Sequence, residues 1–190
     1  MMRIGFDGKR AVQNFTGLGN YSRYVLEALQ TYYPNEALAL YAPKLVENKR
    51  LDPILKKGNI ELRTPKTNGW KKLRSLWRIW GITTDLEKDN IELFHGLSNE
   101  LPLNIHKQRY IKSIVTIHDL IFRRLPQCYP LIDRMIYDYK FRKACQHADK
   151  IIAVSECTKR DIIKDYHILP EKIEVIYQGC DPVFAIPVNQ

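Results

Sequence analysis

The chain has 190 residues, enough for one α/β domain with a buried core, and its 45 % hydrophobic and 27 % charged content excludes a disordered chain. No apolar run nears the roughly 18–20 residues of a membrane span, and the opening MMRIGFDG lacks a signal-peptide core, so a cytoplasmic location is expected. A formal net charge of +9 suits an anionic partner.

Arg3–Gly8 is an apolar run leading into glycine and reads as a first strand. Gly17-Leu18-Gly19-Asn20 opens a helix over Tyr21–Tyr32, where Tyr21, Tyr24, Val25, Ala28 and Leu29 recur at helical spacing. Ala37–Ala42 and Asn59–Arg63 are short strands closed by prolines, separated by the polar, basic stretch 44–59. Trp70–Trp80 reads as a basic aromatic helix. Leu93–Gly96 is a strand, Pro102–Gln108 a loop, and Ile111–Leu120 an apolar strand ending in His118-Asp119. A helix runs from about Asp133 to His147. A strand follows over Ile151–Val154, then Ser155 as N-cap of a helix to Tyr166, and a last strand over Lys172–Tyr177. Apolar strands that alternate with helices argue for a single doubly wound Rossmann-like domain with a mostly parallel sheet. The four widely spaced cysteines (Cys128, Cys145, Cys157 and Cys180) read as small buried apolar residues, and no zinc or other metal site is expected.

Three segments carry chemistry. Gly17-Leu18-Gly19 before a helix offers free backbone N–H groups and the positive end of a helix dipole, which suit a diphosphate. It is not a dinucleotide fingerprint: the third glycine is replaced by Ser22, and the strand ending Tyr41-Ala42-Pro43 has no acid for a ribose. Glycines serving loop geometry alone remain the plain alternative. His118-Asp119 ends an apolar strand, where ligands of open α/β sheets bind, and His95-Gly96 ends the preceding strand likewise, which puts two histidines on one rim. In Trp70–Trp80, Trp70, Leu73, Trp77 and Trp80 share one predicted face while Lys71, Arg74 and Arg78 lie opposite and Lys72 sits at the boundary. That composition suits contact with an anionic membrane, the plain alternative being an amphipathic helix docked on the core. No zinc-finger, RNP or recognition-helix pattern points to nucleic acid.

Taken in order, GLGNYSRYVLEAL, FHGLSNELP, VTIHDL and ADKIIAVSECTKRDII…KIEVIYQGCDPVF resemble the retaining GT-B glycosyltransferases often called group 1 or family four. The resemblance covers nearly the whole chain. It implies that residues 1–184 form the N-terminal, acceptor-side domain and 185–190 begin the linker to a C-terminal domain absent here. That domain holds a nucleotide-sugar through paired glutamates, so the chain is expected to be inactive alone. The implied reaction moves a hexose from a nucleotide-sugar to a saccharide or lipid-linked acceptor in a polysaccharide or glycolipid pathway, with no cofactor. Gly17, Leu18 and Gly19 would lie near the donor diphosphate, and His118 would contact the transferred sugar with Asp119 in support. Asn20 and His95 would line the acceptor side of the cleft. Gln178 departs from the pattern, which more often has Asn there. The rival reading is a non-catalytic α/β domain that binds a phosphorylated ligand or a partner protein.

Overall fold

The computed structural model describes residues 2–179 and contains a seven-stranded sheet, parallel throughout, in the order β3-β2-β1-β4-β5-β6-β7. The strands are β1 (Arg3–Asp7), β2 (Ala37–Tyr41), β3 (Ile60–Arg63), β4 (Leu93–Gly96), β5 (Lys112–Ile117), β6 (Lys150–Ala153) and β7 (Ile173–Val175). Apolar side chains alternate between the two faces of the sheet, and both faces are covered. Ile4, Phe6, Leu38 and Leu40 pack with Leu26, Val12 and Ile54 on one side. Tyr41, Phe94, Val115, Ile117 and Ile151 pack with Leu86, Phe141 and Ile162 on the other. Burial on both faces explains why these strands read as apolar runs rather than as strict alternation.

The helices are α1 (Lys9–Gln13), α2 (Gly17–Tyr32), α3 (Asp52–Lys56), α4 (Asn68–Lys72), α5 (Arg74–Leu76), α6 (Ile82–Lys88), α7 (Ile121–Arg124), α8 (Leu131–His147) and α9 (Glu156–Tyr166). The chain lays down β1, β2 and β3 outward in one direction, then returns to place β4 on the other side of β1. The crevice beyond the carboxyl ends of β1 and β4 is therefore the topological switch point, where ligands of open α/β sheets bind. Ser155 caps α9 as expected, its Oγ accepting from Thr158 N at 3.1 Å.

Two expectations change. Trp70–Trp80 is not one helix: Leu73 leaves helical geometry (φ −103°, ψ 47°), and Trp77–Gly81 is a π turn closed by Ile82 N–H donating to Trp77 O. The turn frees carbonyls that the loop after β4 satisfies, Leu103 N donating to Ile79 O at 2.9 Å and Asn104 Nδ2 to Trp80 O at 3.1 Å. A side chain at Gly81 would put its Cβ 2.8 Å from the Trp70 ring, so glycine lets Trp70 lie against the break. The cysteines also differ. Cys145 is buried in the core and its thiol is pushed up to about 12 by desolvation, whereas Cys128 and Cys157 point to solvent from the turn before α8 and the first turn of α9. Cys180 and the rest of the Asp181–Phe184 segment lie outside the described residues.

Candidate functional site

The glycines are the first turn of α2 rather than a loop before it, and each does something different. Asn14 Oδ1 accepts from Thr16 N (2.9 Å), Thr16 Oγ1 (2.8 Å) and Gly19 N (3.1 Å), which caps the helix from outside. Gly19 touches this cap so closely that a Cβ there would sit 1.9 Å from Asn14 O. Gly17 is the opposite, with nothing within 4 Å of an added Cβ. The N–H groups of Gly17 and Leu18 have no acceptor within the helix, and they stand at the positive end of its 16 residues, with Gly17 exposed. Gly19 is required by packing, and Gly17 is not.

Asn20 is turned elsewhere. Its Oδ1 accepts from Arg23 Nη2 at 2.6 Å and Arg50 Nη1 at 3.3 Å. Buried Arg23 also donates to Ala11 O and Asn14 O, both at 2.9 Å, and so ties α1 to α2. Asn20 thus completes an arginine cluster that shapes the start of the helix.

The two histidines meet on the rim as the strand ends suggest. His95 is buried, and its Nε2 lies 2.9 Å from Thr116 Oγ1, which is 3.1 Å from Tyr21 Oη. Desolvation, then the neighbouring His118, push His95 down to about 4. The Tyr21 ring meets the His118 ring edge-on with centroids 4.8 Å apart. His118 is held from several elements at once: its N–H donates to Asn99 Oδ1 (2.7 Å), and its carbonyl accepts from Thr158 Oγ1 (3.1 Å). Its Nε2 donates to Leu97 O (3.0 Å), and its Nδ1 accepts from Gln178 Nε2 (2.9 Å). Burial lowers its pKa, opposed by the Leu97 hydrogen bond and by Asp119. The lowered midpoint favours the neutral imidazole. Only 9 % of His118 is exposed, so its ring edges the crevice from within rather than standing free in it.

Asp119 does not reach that ring by hydrogen bond. It is exposed, and its Oδ1 accepts from Ile121 N at 3.1 Å, which starts α7. The membrane group divides. Lys71, Lys72, Arg74 and Trp80 are exposed and Trp70 is half-buried, but Trp77 and Arg78 are buried. Trp77 Nε1 donates to Asp85 Oδ2 at 2.7 Å, and the π turn swings Arg78 inward onto two carboxylates, so neither can touch a bilayer.

That ion cluster went unread in the sequence. Arg78 donates to Asp7 Oδ2 through Nε (2.8 Å) and Nη2 (2.6 Å), and to Glu100 Oε2 through Nη1 (2.6 Å), while Lys140 Nζ lies 3.4 Å from the same Glu100 oxygen. Burial works against charge on Arg78, but Asp7 and Glu100 outweigh it and raise its pKa. Burial likewise works against charge on Glu100, but Arg78 and Lys140 hold its pKa below the usual carboxylate value. The cluster pins the carboxyl end of β1 to the loop after β4. Asp7 closing an apolar run was the one visible signal. Among the described residues no group of three or more His, Cys, Asp or Glu is placed to hold a metal ion.

The fold has counterparts among solved structures. A glycosyltransferase from Rickettsia africae ESF-5 superposes with a TM-score of 0.57 at 16 % identity, covering 96 % of this chain and 44 % of that one. The lipopolysaccharide outer core galactosyltransferase WaaB, in its apo form, gives 0.57 at 16 % identity over 93 % of this chain and 45 % of that one. A UDP-GlcNAc 2-epimerase from Neisseria meningitidis gives 0.57 at 14 % identity over 92 % and 45 %, so the fold alone does not fix the reaction. The chain spans less than half the length of each of these structures. No curated protein matches it in sequence. The model of the family Glycosyltransferase Family 4 matches residues 18–184, and the chain belongs to that family.

Proposed function

We propose that this chain is the acceptor-side half of a two-domain enzyme that moves a hexose, with retention, from a nucleotide-sugar to a saccharide or lipid-linked acceptor. Residues 1–184 form this half and 185–190 begin the linker to the donor-binding half. What supports the reading is that α2, whose first turn holds Gly17 and Leu18, also carries Tyr21, whose ring meets the firmly held His118 imidazole edge-on at 4.8 Å. Backbone N–H groups at a helix start stabilise charge growing on a departing diphosphate without moving during the reaction. His118 contributes hydrogen bonding and position, its two ring nitrogens being already engaged. Asp119 braces the turn beside it, and His95 and Asn20 shape the acceptor side through Thr116, Tyr21 and Arg50.

A lipid-linked acceptor in surface polysaccharide assembly would bring the enzyme to the cytoplasmic face of a membrane. Among the solved structures, a lipopolysaccharide galactosyltransferase supports that direction. Exposed Ile121 on α7, Leu125 just after it, and Ile132, Met135, Ile136 and Tyr139 on α8 form an apolar face suited to such contact. Arg123, Arg142 and Lys140 near it are already in ion pairs, whereas Arg134 on α8 is in none among the described residues, so apolar burial would carry most of the contact there.

The test is to assay the complete gene product with nucleotide-sugars beside the present chain. Turnover is expected only in the longer protein, since orientation of both reactants supplies much of the rate. It should fall at least about tenfold in His118→Ala, a transition-state loss of about 1.4 kcal/mol or more. Full activity of the folded variant, or turnover by the present chain alone, overturns the reading.

A further inference from the structure

Leu97, Asn99, Thr158 and Tyr21 hold His118 from neighbouring strand ends and helices, as tight packing at a sheet rim requires. Gln178 is different, since it reaches the ring from 60 residues away and from beyond the last strand. The segment after β7 is anchored at both ends of this reach. Ile176 N donates to Ala153 O at 3.0 Å, and Gly179 passes so close to α2 that a Cβ there would lie 2.5 Å from Tyr24 Oη. Between the anchors, the Gln178 amide turns back to His118 Nδ1.

The partners fix the proton. A carbonyl can only accept, so Leu97 O requires the hydrogen on Nε2 and leaves a lone pair on Nδ1, which the Gln178 Nε2–H group fills. We propose that Gln178 is a positioning residue for His118: its amide occupies Nδ1 in the free domain and reserves that nitrogen as the hydrogen-bond acceptor for a ligand hydroxyl. An amide suits the task because it is uncharged and can rotate aside. A hydroxyl donor arriving in the crevice makes the same N···H bond and releases Gln178. Substrate contact is thereby linked to the segment that follows β7. The charged and titratable groups around the ring are Arg10 from α1, which disfavours a proton, Asp119, which favours one, His95 from β4, and the Tyr21 hydroxyl from α2. None of them hydrogen-bonds Nδ1 among the described residues.

The proposal rests on the reading of His118 as a site residue, but its test reads the imidazole itself in the present chain. With ¹⁵N-labelled histidine, long-range ¹H–¹⁵N spectra followed against pH give the tautomer and titration midpoint of each ring. The wild-type His118 is expected to be the Nε2–H form. In Gln178→Glu a carboxylate replaces the amide donor beside Nδ1 and should raise the His118 midpoint by at least about one unit, because an adjacent opposite charge favours the imidazolium. Gln178→Leu should move the Nδ1 resonance toward that of an unbonded nitrogen, and Gln178→Asn, one methylene shorter, should fall between. If Gln178→Glu does not fold, Gln178→Leu carries the test. An Nδ1 resonance unchanged in Gln178→Leu, or a His118 midpoint that moves in Gln178→Glu no more than that of His167, overturns the proposal. Activity plays no part in this readout, so its failure and the failure of the glycosyl-transfer reading are separate results.

Discussion

The rim formed by β4 and β5 and the stretch Trp70–Trp80 are both read from local pattern, and only at the rim do the residues lie together as the pattern places them. At the rim, position follows from the backbone. A residue at the end of a parallel strand faces the crevice wherever the helices go, so His95 and His118 come together even though their partners Thr116, Tyr21 and Gln178 come from three different elements. Along Trp70–Trp80, the reading multiplies a constant rotation per residue over eleven positions. One non-helical residue at Leu73 and one π turn were enough to turn Trp77 and Arg78 into the core. Strand-end arguments survive local irregularity. Helical-wheel arguments accumulate it.

The largest effect that would sharpen this contrast lies in the π turn. Arg78→Ala leaves Asp7 and Glu100 buried without their guanidinium, which should destabilise the domain by about 3–5 kcal/mol. Urea unfolding checks it. A loss below about 1 kcal/mol would mean that Arg78 is solvated and that the original outward-facing helix is closer to the truth.

The rim is sharpened by pH. His95 is held near 4 when folded against 6.5 for the free group, so between those values the unfolded chain binds a proton that the folded chain refuses. The His95 contribution to stability should therefore fall as pH drops through 6.5 and level off near 4, amounting to a loss of about 2 kcal/mol by pH 5. His95→Gln should show a shallower decline than the wild type over pH 7 to 5. Parallel curves would place His95 in contact with solvent.

The smallest expected effect concerns lipid. Sedimentation with vesicles containing acidic lipid should depend more on Ile132→Asp and Met135→Asp than on replacing Lys71, Lys72 and Arg74 by Gln, and should be only weakly sensitive to salt. Binding abolished by the triple Gln variant and by salt would return the contact to the basic segment. Neither set of substitutions should move the unfolding midpoint by more than about 0.5 kcal/mol equivalent, since all these side chains are at the surface.

The sheet was legible because its strands are buried on both faces and punctuated by Gly, Pro and Asn. Helix α3 was missed, since Asp52–Lys56 is one short turn inside a polar stretch. The open start of α2 was legible from its glycines, but their division of labour was not. Nothing local says that Asn14, five residues upstream, takes the Gly19 N–H and leaves Gly17 free. Gln178 was visible as an unusual residue, yet its contact with His118 depends on β7 lying beside β6 and on the chain then crossing to α2. His118 itself is more enclosed than a strand end opening onto a cleft suggests, and its replacement should cost some stability as well as rate, because the Leu97 carbonyl and the Gln178 amide both lose a partner.

The central proposal is that the first turn of α2, beside the switch-point crevice, is an anion site for a diphosphate. It is tested most directly by titrating the ¹⁵N-labelled chain with inorganic pyrophosphate and following every backbone amide. The account predicts saturable shifts at Gly17 and Leu18, with smaller ones at His118 and Asp119, at about millimolar affinity as suits a half-site. Shifts confined to Lys71, Lys72 and Arg74, or no saturable shift at Gly17 and Leu18 up to about 10 mM, would contradict it.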